Sequence, residues 1–92
     1  MAKYFNKNLK YIRKIYNISQ FTIAKELGID RSSISRWEKG NIDVPLEAAL
    51  TIADFLHFNY ADIFGRDLTT LSMSELEKIK KNIIEKHWLK IC

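Results

Sequence analysis

Glycine and proline are scarce in this chain, and their placement constrains the fold more than any other feature. Only three glycines and one proline occur in 92 residues. Gly28, Gly40 and Gly65 each follow a segment with helical spacing of apolar residues, where a helix C-terminus favours a residue at positive φ. Pro45 cannot continue a preceding helix but suits the first turn of a new one. No segment alternates apolar and polar residues between turn signals, so strands are not expected. The breakers divide the chain into short helices, and the expected class is all-α.

The first helix spans about residues 6–16, with Leu9, Ile12 and Tyr16 on one face. The second, 20–27, starts after Ser19 as N-cap and turns Ile23, Ala24 and Leu27 inward. The third, 31–39, starts after Asp30 and turns Ile34 and Trp37 inward. The fourth, 45–57, has an inner stripe of Leu46, Ala49, Leu50, Ala53 and Leu56. A short fifth helix follows Asn59 at 60–64, and 65–71 reads as a linker. The last helix, 73–90, opens on nested capping boxes, Ser72 with Glu75 and Ser74 with Glu77. This divides the chain into a domain at 1–66 and a linker plus amphipathic helix at 67–92.

Composition narrows the function. The chain is 47% apolar and 28% charged, which suits a folded domain rather than disorder. One small core leaves no room for a separate cofactor domain. Nothing approaches the ~18 apolar residues of a membrane span, and the N-terminus lacks the apolar stretch of a signal peptide. A cytoplasmic protein without membrane contact is expected. Cys92 is the single cysteine and His57 and His87 the two histidines, too few for a disulfide or a structural zinc site. His57 falls at the end of the fourth helix, where a cation complements the dipole. Asp54, Asp62 and Asp67 lack the spacing of an acid/base pair or metal site, and the glycines are too far apart to cradle phosphate. No enzyme activity, metal or cofactor is expected.

Charge is uneven. Residues 1–40 carry nine Lys/Arg and three Asp/Glu, a net of +6, whereas residues 41–92 carry six and eight, a net of −2. A basic half suggests a polyanionic partner. Only Gly28, Ile29 and Asp30 separate the second and third helices, the arrangement of a helix-turn-helix. Ala24 lets the two helices cross closely, Gly28 permits the turn, and Ile29 and Ile34 are expected to lock the corner into the core. The third helix then presents Arg31, Ser32, Ser35, Arg36 and Lys39 outward.

The run Ser19-Gln20-Phe21-Thr22-Ile23-Ala24-Lys25-Glu26-Leu27-Gly28-Ile29, followed by Asp30-Arg31-Ser32-Ser33-Ile34-Ser35-Arg36-Trp37-Glu38-Lys39-Gly40, resembles the Cro/C1-type (Xre) helix-turn-helix family. The likeness covers about residues 5–65, taking in Leu9 to Arg13, Pro45-Leu46-Glu47 and Tyr60 to Phe64. It implies a five-helix, lambda-repressor-like DNA-binding domain, here with an extra C-terminal amphipathic helix, that binds operator DNA as a dimer. By position, the resemblance implies base reading by Arg31, Ser32, Ser35 and Arg36, arginine being the bidentate partner of guanine. It implies backbone contacts from Gln20, Ser33, Lys39 and Asn41, which set register without reading sequence, and for Gln20 also a brace at the start of the third helix. It also implies a structural ion pair between Arg13 and Glu38. Phe21 departs from the family's acidic or polar residue. With Phe5, Tyr11 and Tyr16 it is expected to pack on the outside of the first two helices, with stacking on DNA sugars as the alternative.

The stripe of the last helix contains Leu76, Ile79, Ile83 and Trp88, with Ile84 and Ile91. It is too apolar to remain exposed and must cover either its own domain or a second copy. Leu76, Ile79, Ile83 and Trp88 are therefore the candidates for dimerisation. The combined expectation is a homodimeric, sequence-specific transcriptional repressor reading a near-palindromic operator in double-stranded DNA through residues 31–39. The alternative is a protein-interaction module, or an antitoxin-like autoregulator, whose C-terminal helix binds a partner protein.

Overall fold

A computed structural model of the chain describes residues 4–40 and 42–80. The order of elements is α1 (Phe5–Ile15), α2 (Gln20–Leu27), α3 (Arg31–Glu38), α4 (Leu46–Leu56), α5 (Tyr60–Gly65), a 3-10 turn (Leu68–Thr70) and α6 (Met73–Ile79). The described residues contain no strand.

One apolar core joins all of these elements. Phe5, Leu9 and Ile12 face it from α1, Ile23 and Ala24 from α2, Ile34 and Trp37 from α3. Ala49, Ile52, Ala53 and Leu56 enter from α4, and Phe58 and Ile63 complete the centre. Each such large side chain adds about 1.5–3 kcal/mol when fully buried. Phe5 is among the most buried side chains rather than an outer aromatic. Its ring meets Phe64 edge-on at 5.2 Å.

The core does not stop at α5. Leu68 and Leu76 are fully buried in it, and Leu71 and Ile79 pack against it. Residues 67–80 are thus a strap folded back across α1. Tyr11 donates from its hydroxyl to the Leu71 carbonyl, and Tyr16 donates to the Glu77 carboxylate. The Lys80 ammonium lies over the Tyr16 ring, 4.4 Å from its centroid. The segment expected to be a linker therefore has structure of its own. Its Asp67 side chain caps the 3-10 turn by accepting from the Thr69 amide at 3.0 Å.

Asn8 is the one fully buried polar side chain among the described residues. Its amide nitrogen donates to the carbonyls of Ile63 at 2.8 Å and Arg66 at 2.7 Å. Its oxygen accepts from the Leu68 amide at 2.9 Å. One side chain of α1 therefore ties down both the end of α5 and the start of the strap.

Several local expectations need correction. Gly65 is the last residue of α5 and is not left-handed; of the three glycines, Gly28 (φ 70) and Gly40 (φ 77) are. His57 (φ 67) takes the left-handed position that ends α4. Leu46 is 53% exposed, and Val44 is the apolar residue buried at that end of α4. Ile29 is 39% exposed, so Ile34 alone of that pair enters the core. The capping box forms at Ser72 with Glu75, whereas Glu77 is taken by Tyr16.

The strap carries a pH signature. The Thr69 hydroxyl, then the Lys7 ammonium, hold the Asp67 carboxyl down at about 2. The Ser72 backbone amide lowers Glu75, and the Tyr16 hydroxyl lowers Glu77. A carboxylate with a depressed folded pKa stabilises the fold above its unfolded value of about 4 and loses that contribution as pH falls through the folded value. Stability is therefore expected to decline from about pH 5 to pH 2, with the strap's contacts to α1 failing first. Amide exchange at Leu68 and Leu76, compared with Ile23 and Ile34 during acid titration, checks the order.

Candidate nucleic-acid interface

The interface is built on the turn between α2 and α3. Ser19 accepts from the Thr22 amide at 3.0 Å and starts α2. Gly28 ends it in the left-handed region, and the Ile29 amide bonds the Ala24 carbonyl at 3.0 Å. That sharp reversal is open to glycine at little steric cost. Asp30 has the extended backbone of an N-cap, but its side chain makes no capping bond; its carbonyl receives the Ser33 amide at 3.1 Å.

α3 has one buried and one exposed face. Ile34 and Trp37 lie in the core, while Arg31, Ser32, Arg36 and Lys39 are exposed and Ser33 and Ser35 half-buried. Arg36 lies 3.3 Å from the Ser33 hydroxyl, to which it donates. The exposed side chains carry three positive charges and no acid, which suits contact with a polyanion in a groove wide enough for a helix. Asn41 lies outside the described residues.

Behind this face a chain of hydrogen bonds fixes the angle of α3. Arg13 on α1 grips Glu38 with two prongs, Nε to Oε2 at 2.7 Å and Nη2 to Oε1 at 2.9 Å. Its Nη1 donates to the Ile18 carbonyl at 3.1 Å. The pair is largely shielded, with side-chain exposures of 12% and 3%. Its bond to Glu38 raises the Arg13 pKa further, so the guanidinium stays charged. Gln20 donates from Nε2 to Glu38 Oε1 at 3.0 Å and accepts at Oε1 from Arg31 Nη1 at 2.9 Å. Asn6 on α1 adds a bond to the Trp37 carbonyl.

The structure thus brings Gln20, Arg31, Arg13 and Glu38 into one connected cluster and sets Arg36 and Lys39 apart on the open face. Phe21 is 63% exposed at the start of α2, beside Gln20, and is not among the side chains packed against the core. Tyr11 and Tyr16 are half-buried and serve the strap. Of the four dimerisation candidates, Leu76 is buried in the domain's own core and Ile79 packs against it. Ile83 and Trp88 lie outside the described residues. Sequence reasoning missed Asn8, although a polar residue between Phe5, Leu9 and Ile12 on an apolar face was a visible signal.

Fold and exposed face together define a helix-turn-helix DNA-binding domain. A family profile described as "Helix-turn-helix" matches residues 9–63. The chain belongs to the Cro/C1-type (Xre) helix-turn-helix family. It is similar to antitoxin PezA of Streptococcus pneumoniae, 38% identical over 61 residues, which is 66% of this chain and 39% of that protein. It is also similar to an HTH-type transcriptional regulator of Methanocaldococcus jannaschii, 43% identical over 56 residues, covering 61% of this chain and 85% of the relative. The HTH-type transcriptional activator BcrR of Enterococcus faecalis is 30% identical over 80 residues, 86% of this chain and 39% of BcrR. The chain therefore spans well under half of the antitoxin and the activator. No solved structure gives a significant match. Among the described residues no helix is long and apolar enough to cross a membrane, and no group of three His, Cys, Asp or Glu could hold a metal ion.

Proposed function

We propose that this protein is a sequence-specific transcriptional regulator that acts in the cytoplasm as a homodimeric repressor. The observation that supports it most is α3 itself: Arg31 and Arg36 stand exposed on a short helix whose opposite face is sunk in the core. In this reading α3 lies in the major groove, with Arg31, Ser32, Ser35 and Arg36 at base edges. Gln20, Ser33, Lys39 and Asn41 hold the sugar-phosphate backbone. Binding, not catalysis, is the activity, and the bound protein excludes polymerase by occupancy.

One such helix reads too few base pairs for selective binding, and a two-fold dimer sets two of them about 34 Å apart on a near-palindromic site. With Leu76 and Ile79 used inside the domain, the dimer contact falls to Ile83 and Trp88, together with the half-exposed ring pair of α5. There Tyr60 stacks on Phe64 at 5.9 Å. A second reading, an antitoxin-like autoregulator that also binds a partner protein, draws support from the likeness to PezA.

Binding titrations test the proposal. Affinity for DNA should fall steeply between about 50 and 200 mM salt, because cationic side chains displace counterions from phosphates. Arg36→Ala and Arg31→Ala should each cost about 1–3 kcal/mol in discrimination between cognate and altered sites. Lys39→Ala should weaken all sequences alike. A protein-interaction module without DNA function would show no retention on DNA even at low salt.

A further inference from the structure

We propose that Glu38, through Gln20, is a positioning residue for base reading by Arg31, and not only half of a structural ion pair. The proposal rests on the reading of α3 as the helix that meets DNA bases. Glu38 is the last residue of α3 and Arg31 the first, and they do not touch. They are joined by the Gln20 side chain, which bonds Glu38 at 3.0 Å on one side and Arg31 at 2.9 Å on the other.

The direction of these bonds follows from the chemistry of the carboxylate. An amide side chain can ordinarily present either its oxygen or its nitrogen to a neighbour. Glu38 removes that choice. Its side chain is 3% exposed, and both of its oxygens accept from Arg13, at 2.7 and 2.9 Å. A carboxylate paired in this way only accepts. The Gln20 NH2 must therefore turn toward Glu38, and its oxygen is left facing the guanidinium of Arg31. That oxygen tethers one terminal nitrogen of an otherwise exposed, many-rotamer side chain. The rest of the guanidinium is left for a guanine edge. Ordering Arg31 before binding reduces the entropy lost on DNA contact and favours one base over the others.

The relay separates Glu38 from Arg13 in function. Arg13 anchors the carboxylate from α1, whereas Glu38 alone sets the amide. Arg13→Lys keeps a positive partner for Glu38 but loses the two-pronged grip, so it should lower the unfolding temperature while leaving base preference intact. Glu38→Ala should lower the unfolding temperature too, and in addition flatten the preference at the base pair read by Arg31. Gln20→Met leaves the ion pair whole and cuts the relay at its middle. It covers the case in which Glu38→Ala folds poorly.

The test is sequence selection from random duplex DNA with the full chain, below the unfolding temperature of every variant. Arg31→Ala first locates the base pair that loses its preference. At that position Glu38→Ala and Gln20→Met should reduce the preference roughly tenfold, within the range of one bidentate contact. The position lost in Arg36→Ala should stay selective in both variants. Unchanged preference in both at the Arg31 position overturns the relay and leaves the DNA reading standing. Equal flattening at every position, or flattening in Arg13→Lys as well, assigns Glu38 a purely structural role. No enriched sequence with the wild-type chain would instead count against the DNA reading itself.

Discussion

Replacing Asn8 with alanine is expected to cost about 3 kcal/mol of folding stability, a large share of the margin of a small domain. The side chain makes three hydrogen bonds to backbone groups of Ile63, Arg66 and Leu68. Each contributes about 1 kcal/mol, and the loss of Asn8 also leaves its partners without bonds in a water-poor site. The Asn8 site is fully buried, so water cannot readily replace the amide. Asn8→Asp should also destabilise, because a carboxylate supplies no donor to the two carbonyls. Urea unfolding checks both. A loss below about 1 kcal/mol would mean that the end of α5 and the strap are held by packing alone.

Leu76→Ala should cost about 3 kcal/mol, in the range for a leucine removed from a packed core. Its side chain is fully buried against the same cluster that holds α1 to α5. Truncation after Leu71 should act in the same direction, since it removes Leu76 together with the Tyr16–Glu77 bond. The sequence left open whether the last helix covers its own domain or a second copy; Leu76 and Ile79 are taken up by the domain's own core. Thermal unfolding of the Leu76→Ala protein at two concentrations separates the two effects. Relative to the wild-type chain, a drop in midpoint that is the same at both concentrations identifies a core residue. A drop that grows on dilution identifies an interface.

Most of the helical order was legible because its signals are local. The bounds of α2 and the start of α3 follow from Ser19, Gly28 and Asp30, whose backbone conformations are set within a few residues. The Arg13–Glu38 pair, implied by family resemblance, forms with two short bonds. What was not legible depends on contacts distant in sequence. Asn8 meets partners 55 to 60 positions away, and Tyr16 meets Glu77 across 61. Helical periodicity marks a face as apolar but does not say which element covers it. Hence Leu46 and Ile29 were expected inside and stand exposed, and Phe5 was expected outside and is buried. Phe21, which the sequence flagged as unusual, stands 63% exposed outside the core.

Sequence recognition is assigned here to α3. Selection from random duplex DNA, run in parallel on the wild-type chain and on a variant carrying both Arg31→Ala and Arg36→Ala, addresses it most directly. The wild type is expected to enrich one near-palindromic site with half-sites about one helical turn apart. The double variant should still bind DNA at low salt but enrich nothing at the guanine positions. Enrichment of the same site by both proteins would contradict it, as would DNA retention by the wild type with no preferred sequence.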